Sequence, residues 1–420
     1  MLPDAGHECE THHQLDIMTA RQTFRKVLLL LATASLLAAC RKEEPIVPST
    51  STPVAPPGDP SGGDGDSSGG DGSEERIRGF FLLNEGNMGS NKATLDYFDY
   101  ATGVYTKNIY AERNPGVVKE LGDVGNDLQV YGGKLYAVIN CSHFVEVMDL
   151  RTARHITQIS IPNCRYIVFK GRYAYVSSYA GPVQIDPNAR LGYVAKIDTA
   201  TMQIVGTCTV GYQPEEMVIV GKKLYVANSG GYRVPDYDRT VSVIDLDTFG
   251  EVKKIDVAIN LHRMELDAYG QIWVSSRGDY YDTPSRTYVI DSRTDEVTDE
   301  FKLLPNSEMT VCGDSLYVYS TEWSYPTQSN TVSYAIVNVR TKKIVTRNFI
   351  TDGTDRRIAI PYGIAVNPAT REIFVTDAGN YVTPGKLYCF NPDGTKKWEV
   401  ETGDIPAHIA FTYTELAPLR

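Results

Sequence analysis

The chain has 420 residues, with 41 basic and 52 acidic side chains and a net charge of −11. A mildly acidic surface is a poor match for a phosphate backbone, so nucleic-acid binding is excluded as a function. Seven cysteines, with no C-x-x-C pair among them, exclude a zinc-ribbon or disulfide-dense scaffold.

From the N-terminus, residues 1–39 read as an extension followed by a signal peptide, with Met18 the expected start. Arg21, Arg25 and Lys26 precede an apolar run from Val27 to Ala39. That run is shorter than the roughly 20 residues a membrane-spanning helix needs, and it suits a signal-peptide core. It ends in Leu37-Ala38-Ala39-Cys40, which is similar to the bacterial lipobox. Small residues there suit the processing peptidase, and the Cys40 sulfur would take the lipid that replaces a membrane helix. The following Arg41-Lys42-Glu43-Glu44 resembles the surface-export signal of Bacteroidetes lipoproteins, so the expected location is the outer membrane, lipid-anchored and facing the cell exterior. Residues 40–75 then run in Pro, Ser, Thr, Gly and Asp, with little to bury against their ordering entropy, and are expected as a disordered surface tether. Asp64-Gly65-Asp66 lacks the closing acidic ligand of a calcium loop and reads as part of that spacer.

From residue 76 one strand phrase recurs. Leu135-Tyr136-Ala137-Val138, Ala174-Tyr175-Val176-Ser177, Leu224-Tyr225-Val226-Ala227, Ile272-Trp273-Val274-Ser275, Leu316-Tyr317-Val318-Tyr319 and Ile373-Phe374-Val375-Thr376 are copies of it. Each is followed by a loop, a strand often ending in Ile-Asp, a tight turn and a further strand. A repeat of roughly 40–50 residues with four strands marks propeller blades, so an all-β, seven-bladed β-propeller is expected over residues 76–413, with 414–420 as a tail. Pro406-Ala407-His408-Ile409-Ala410-Phe411 matches the innermost strands that begin at Pro214 and Pro361, whereas Phe80-Phe81-Leu82-Leu83 matches a second strand. The C-terminal strand should therefore close the first blade and leave no free edge on the ring.

The loops after each second strand, 84–92, 178–191, 228–239, 276–286, 321–331 and 377–386, are long, whereas those at the other end are tight Asp- and Gly-containing turns. Long loops gathered on one face carry function more often than short turns do. Their aromatic residues Tyr179, Tyr232, Tyr280, Tyr281, Trp323, Tyr325 and Tyr381 are candidate ligand contacts, with Tyr362 beside them. Asn84, Glu85, Asn87, Asn228 and Asn380 offer polar edges, and Arg165, Arg233, Arg263 and Arg277 offer cationic donors. Together they suit a large planar ligand with polar edges, or a protein partner.

No nucleophile elbow, zinc-helix motif, phosphate loop or dinucleotide fingerprint occurs, so no catalytic residue, metal or cofactor is assigned. His262 and His408 precede inner strands and are expected to point into the channel as structural histidines. Cys141 and Cys164 fall near one rim, where an oxidising compartment would permit a disulfide, but buried thiols are the default for the folded part. Two alternatives to ligand capture remain. Glu85, Asn228 and Asp377 follow equivalent strands and would give a calcium site if they converged, an arrangement similar to that of propeller lactonases. Arg277-Gly278-Asp279 and the aromatic face would instead suit cell-surface adhesion.

Taken together, the lipobox, the acidic export signal, the tether, Asn84-Glu85-Gly86-Asn87 and the Leu-Tyr-Val-Ala-Asn phrase resemble the YncE-like propeller lipoproteins of Bacteroidetes. The resemblance spans Phe80 to Phe411 and specifies the fold better than the ligand. Its BtuG-type members imply capture of cobalamin or another corrinoid as cargo, not cofactor. They also imply delivery to a TonB-dependent, BtuB-like transporter, without enzymatic turnover.

Overall fold

The computed structural model describes residues 48–57, 76–117, 120–324 and 329–418. Cys40, the lipobox, the rest of the tether and Tyr325 lie outside the described residues. Among those residues, no helix is long and apolar enough to cross a membrane.

Seven antiparallel meanders form the blades. The second begins with Gly125–Tyr131, the third with Cys164–Lys170 and the fourth with Pro214–Val220. Leu261–Leu266, Glu308–Cys312 and Pro361–Val366 are the innermost strands of blades five to seven. In blade one the innermost strand is the C-terminal Pro406–Thr412, which pairs antiparallel with Gly79–Asn84. Each innermost strand contacts those of both neighbouring blades, and Pro406–Thr412 joins the seventh blade to the second, so the ring is closed as the repeat pattern requires.

Alternation explains why the repeated phrase is apolar throughout. In Lys134–Ile139, Leu135, Ala137 and Ile139 pack into a core shared with blade one, while Tyr136 and Val138 pack into a core shared with blade three. A strand between two blades is buried on both faces, so period-two patterning gives two apolar stripes rather than one. The outer strands, such as Gly250–Asp256, are largely exposed. The recurrent Ile-Asp also has a physical cause. Asp245 Oδ1 accepts the N–H groups of Asp247 and Thr248, and Asp198 Oδ1 those of Ala200 and Thr201, fixing the tight turns.

Six of the seven innermost strands break register near their start, as between Pro214 and Met217 and between Leu261 and Met264. Such a bulge sets two residues opposite one and re-aims their side chains. Proline opens three of these strands, where its missing N–H costs no ladder bond. In blades three, five and seven a hydroxyl of the second strand, from Ser177, Ser275 and Thr376, holds the bulge. Ser177 Oγ accepts the Tyr166 N–H and donates to the Glu215 carbonyl, and Thr376 Oγ1 joins the Gly363 N–H to the Pro406 carbonyl. A side chain at Gly363 would collide with the Ala407 carbonyl, so blade seven meets blade one at a glycine.

Two segments depart from the sequence expectation. Thr50–Pro53, inside the expected tether, forms a fifth strand on blade one, paired antiparallel with Val104–Lys107. Val54 and Ala55 then pack on the cluster that holds Tyr105 and Trp398, which supplies the burial the polar flanks lack. The expected loop 321–331 is instead a continuation of the ladder: Ser315–Ser324 pairs with Ser329–Asn338 as far as Ser324 opposite Ser329. Thr321, Trp323, Thr331 and Val332 are β-branched or aromatic, and extend the hairpin rather than end it. Cys164, Cys208, Cys312 and Cys389 are buried free thiols and Cys141 is also unpaired, so no disulfide links Cys141 to Cys164.

Candidate functional site

The long loops do share one face, but the residues on it divide into two halves. Above blades three and four the polar side chains close on one another. Glu215, fully buried, accepts from Arg165 Nε at 3.1 Å and Nη2 at 3.0 Å through Oε2, and from the Tyr179 hydroxyl at 2.5 Å through Oε1. Arg165 also lies over the Tyr179 ring, and Tyr232 packs edge-on against Tyr179. Burial pushes the Glu215 carboxyl up, but Arg165 and Arg277 outweigh it and hold the group below its ordinary value. Arg165, Tyr179 and Tyr232 therefore serve this closed knot. Arg233 stacks on Tyr212 at 3.8 Å and donates to the Asp236 carbonyl, holding its own loop.

Over blades five to seven the same residue types leave space. A cavity of about 630 Å³ opens there, off the ring axis. The predicted residues Arg263, Arg277, Tyr280, Tyr281, Trp323, Tyr362 and Tyr381 line it. Tyr281 is 64% exposed, Tyr280 59% and Trp323 51%, so their rings form the rim, while Tyr362 stands at the channel end. The rim is rigid for identifiable reasons. Asp279 Oδ1 accepts the N–H groups of Tyr281, Asp282 and Thr283, and Gly278 turns the loop with a positive φ of 66°. The carboxylate that would complete an adhesion tripeptide is thus engaged in its own loop.

Beneath the cavity, Arg263 is ion-paired with Glu308 and donates to the Tyr166 hydroxyl at 2.7 Å. Tyr166 in turn lies 3.1 Å from His262 Nε2. The hydroxyl accepts from Arg263, and the direction of its contact with His262 Nε2 is set by the tautomer of the ring. Burial, then the charges of Arg277, Arg263 and Arg165, hold the His262 pKa well below its ordinary value, in keeping with a neutral ring. Glu265 is pushed up to about 8 by burial and by Glu308. Two other channel acids tie blades together: Asp127 Oδ2 accepts the Ile167 N–H and Glu216 Oε2 the Met264 N–H, each from the next blade.

Several expected contacts prove structural. Asn84 Nδ2 donates to Thr94 and Asp96 inside blade one, and Asn228 is bonded to Gly211, Thr240 and Ser242. Asn380 Oδ1 caps the Val382 and Thr383 N–H groups. Asn87 lies in the turn closed by the Ser90 N–H and does not line the cavity. Glu85 accepts from the Tyr362 hydroxyl at 2.8 Å and faces His408 Nε2 at 3.3 Å. Asp377 accepts the backbone N–H groups of Ala359, Ile360 and Gly379. The three residues expected for a calcium site thus each answer to local partners. Among the described residues no three His, Cys, Asp or Glu side chains converge as metal ligands.

Tyr319, Glu322 and Asn306 also line the cavity and were not singled out from the sequence. Tyr319 had a readable signal. It stands where the other copies of the phrase carry Val138, Ser177, Ala227, Ser275 or Thr376. Blade six pairs Glu308 directly with Tyr319 and has no bulge to accommodate, so a large ring fits where the other blades carry a smaller side chain.

Comparison with known proteins follows from this geometry. The model of a domain of unknown function, DUF5074, matches residues 78–412, the span of the seven blades. The chain belongs to the DUF5074 family. No curated protein matches it. Among solved structures, this DUF5074 chain is similar to a quinoprotein alcohol dehydrogenase-like protein from Bacteroides thetaiotaomicron, with a TM-score of 0.54 and 15% identity over 80% of this chain and 78% of that one. It is also similar to a hydrazine synthase chain from Kuenenia stuttgartiensis, with a TM-score of 0.52 and 17% identity over 64% of this chain and 77% of that one. At such identities the likeness concerns the propeller fold alone.

Proposed function

We propose that this DUF5074 propeller is a ligand-capturing protein of the outer-membrane surface, held by a lipid on Cys40, which binds its cargo over blades five to seven and passes it to a TonB-dependent transporter without turnover. The observation that carries the binding half of this reading is the cavity itself. At about 630 Å³ it falls in the range of small-molecule sites, and exposed Tyr280, Tyr281 and Trp323 present aromatic faces around it. A corrinoid is the cargo to test first, because a broad apolar body fringed with amides matches rings flanked by Arg277, Glu322 and Asn330. The anchor, the surface location and the transporter rest on the lipobox, the export-like signal and the resemblance to YncE-like lipoproteins.

The lactonase alternative loses its support, since Asn228 and Asp377 are engaged in strand ends. Isothermal calorimetry with cyanocobalamin tests the corrinoid reading. Saturable heat at micromolar protein, lost in Trp323→Ala, is expected; no heat and no change in the corrinoid absorption spectrum would remove it.

A further inference from the structure

Hydrogen-bond bookkeeping around the cavity leaves one guanidinium underused. Arg165 has Glu215 as a two-nitrogen partner, and Arg263 has Glu308. Arg277 has only the far oxygen of that same Glu215, at 3.5 Å, an oxygen already taken by Tyr179. A guanidinium carries five N–H donors in a planar fork, and among the described residues this one has a single, long hydrogen bond. Arg277 nevertheless lines the cavity with 28% of its side chain exposed.

A second underused polar group lies on the same wall. His262 is more than nine-tenths buried, lines the cavity, and its Nδ1 has no hydrogen-bond partner among the described residues. A buried polar atom without a partner costs roughly 1–3 kcal/mol unless a ligand or water supplies one. The nearby carboxylates do not answer that need. Asp279 is held by three backbone N–H groups of its own loop, and Glu322, whose pKa burial raises, is hydrogen-bonded to the Ser285 backbone. The depressed His262 pKa, caused by burial and then by Arg277, Arg263 and Arg165, records the same positive field.

We infer that the cargo of this cavity carries an anionic group, a carboxylate, phosphate or sulfonate set on an aromatic or otherwise flat body, and that Arg277 is the residue that takes it. The inference rests on the cavity being the ligand site, as proposed above. The fork of Arg277 would accept two oxygens of the anion while Tyr280, Tyr281 and Trp323 cover the apolar body. The ordering gives selectivity: a neutral ligand of equal shape leaves Arg277 with its one weak bond, and so binds less tightly.

Two dyes that differ by one charged group test this in the whole protein: 8-anilinonaphthalene-1-sulfonate and its sulfonate-free counterpart N-phenyl-1-naphthylamine. The sulfonated dye is expected to bind about tenfold more tightly or better, the gain of one charge-assisted contact. Arg277→Gln should abolish that gap and leave the neutral dye unchanged, while Arg277→Lys should keep part of it. Trp323→Ala should weaken both dyes alike. Equal affinities in the unmutated protein, or a gap that survives Arg277→Gln, would overturn the anion inference and leave the cavity reading standing. If neither dye binds, or both bind with no response to Trp323→Ala, the cavity reading falls and the inference falls with it.

Discussion

Above blades three and four, and above blades five to seven, the loop-rich face uses one vocabulary of Arg, Tyr and Glu to opposite ends. In the first half Arg165, Glu215 and Tyr179 meet at 2.5 to 3.1 Å and satisfy one another. In the second half Arg277, Tyr280, Tyr281 and Trp323 border a cavity of about 630 Å³, and the Arg277 guanidinium has one hydrogen bond of 3.5 Å among the described residues. The two halves share Glu215, the closed half taking most of its capacity. The lesson is that residue type alone does not mark a site. What marks it is hydrogen-bonding capacity that the fold leaves unused.

The comparison breaks most visibly at Glu215. Glu215→Ala would leave Arg165 buried without its partner and should destabilise the protein by about 3–5 kcal/mol, seen as a lower urea midpoint. A loss below about 1 kcal/mol would show that the knot is not closed as described. Arg277→Gln, by contrast, should fall within about 0.5 kcal/mol of the unmutated protein, because its single contact is long, at 3.5 Å, and its side chain is 28% exposed.

Beneath the open half, Glu265 offers a smaller, pH-dependent effect. Its folded pKa of about 8 stands above the ordinary 4.5, so the native state keeps a proton that the unfolded chain releases. The stability linked to that proton is complete below about pH 4.5 and is lost as pH rises through about 8. Thermal melts should therefore show a decline across that window worth a few kcal/mol at most. Glu265→Gln should flatten it, raising the melting temperature only on the alkaline side. Parallel curves for the two proteins would mean that Glu265 is ionised in the folded state.

The smallest effect concerns the strand that the sequence hid. Val54→Ser removes a half-buried contact with the cluster around Tyr105 and Trp398, and should cost about 1 kcal/mol. No change in stability would indicate that Thr50–Pro53 adds nothing to blade one.

How much of this was legible beforehand depends on whether the information is local. The blade repeat was legible because each Leu-Tyr-Val-Ala phrase alternates into two neighbouring cores, a constraint written into consecutive residues. Closure was legible because Pro406–Thr412 carries the same pattern as Pro361–Val366. Thr50–Pro53 was not, since Thr, Ser and Pro carry no apolar stripe and its partner at Val104–Lys107 is distant along the chain. Asn228 looked like a ligand for the same reason that it is structural: an amide at a strand end can serve either purpose, and only Gly211, Thr240 and Ser242 around it decide which. The split between closed and open halves depends on Glu215 meeting Arg165 across two blades, which no spacing reveals.

The most direct test of the account compares one aromatic from each half in a single titration. Calorimetry with cyanocobalamin should show binding in the unmutated protein, a loss of about 2 kcal/mol or more for Trp323→Ala and for Tyr281→Ala, and near-unchanged affinity for Tyr232→Ala. Loss of affinity on changing Tyr232, with Trp323 and Tyr281 silent, would move the site to the closed half and contradict the account.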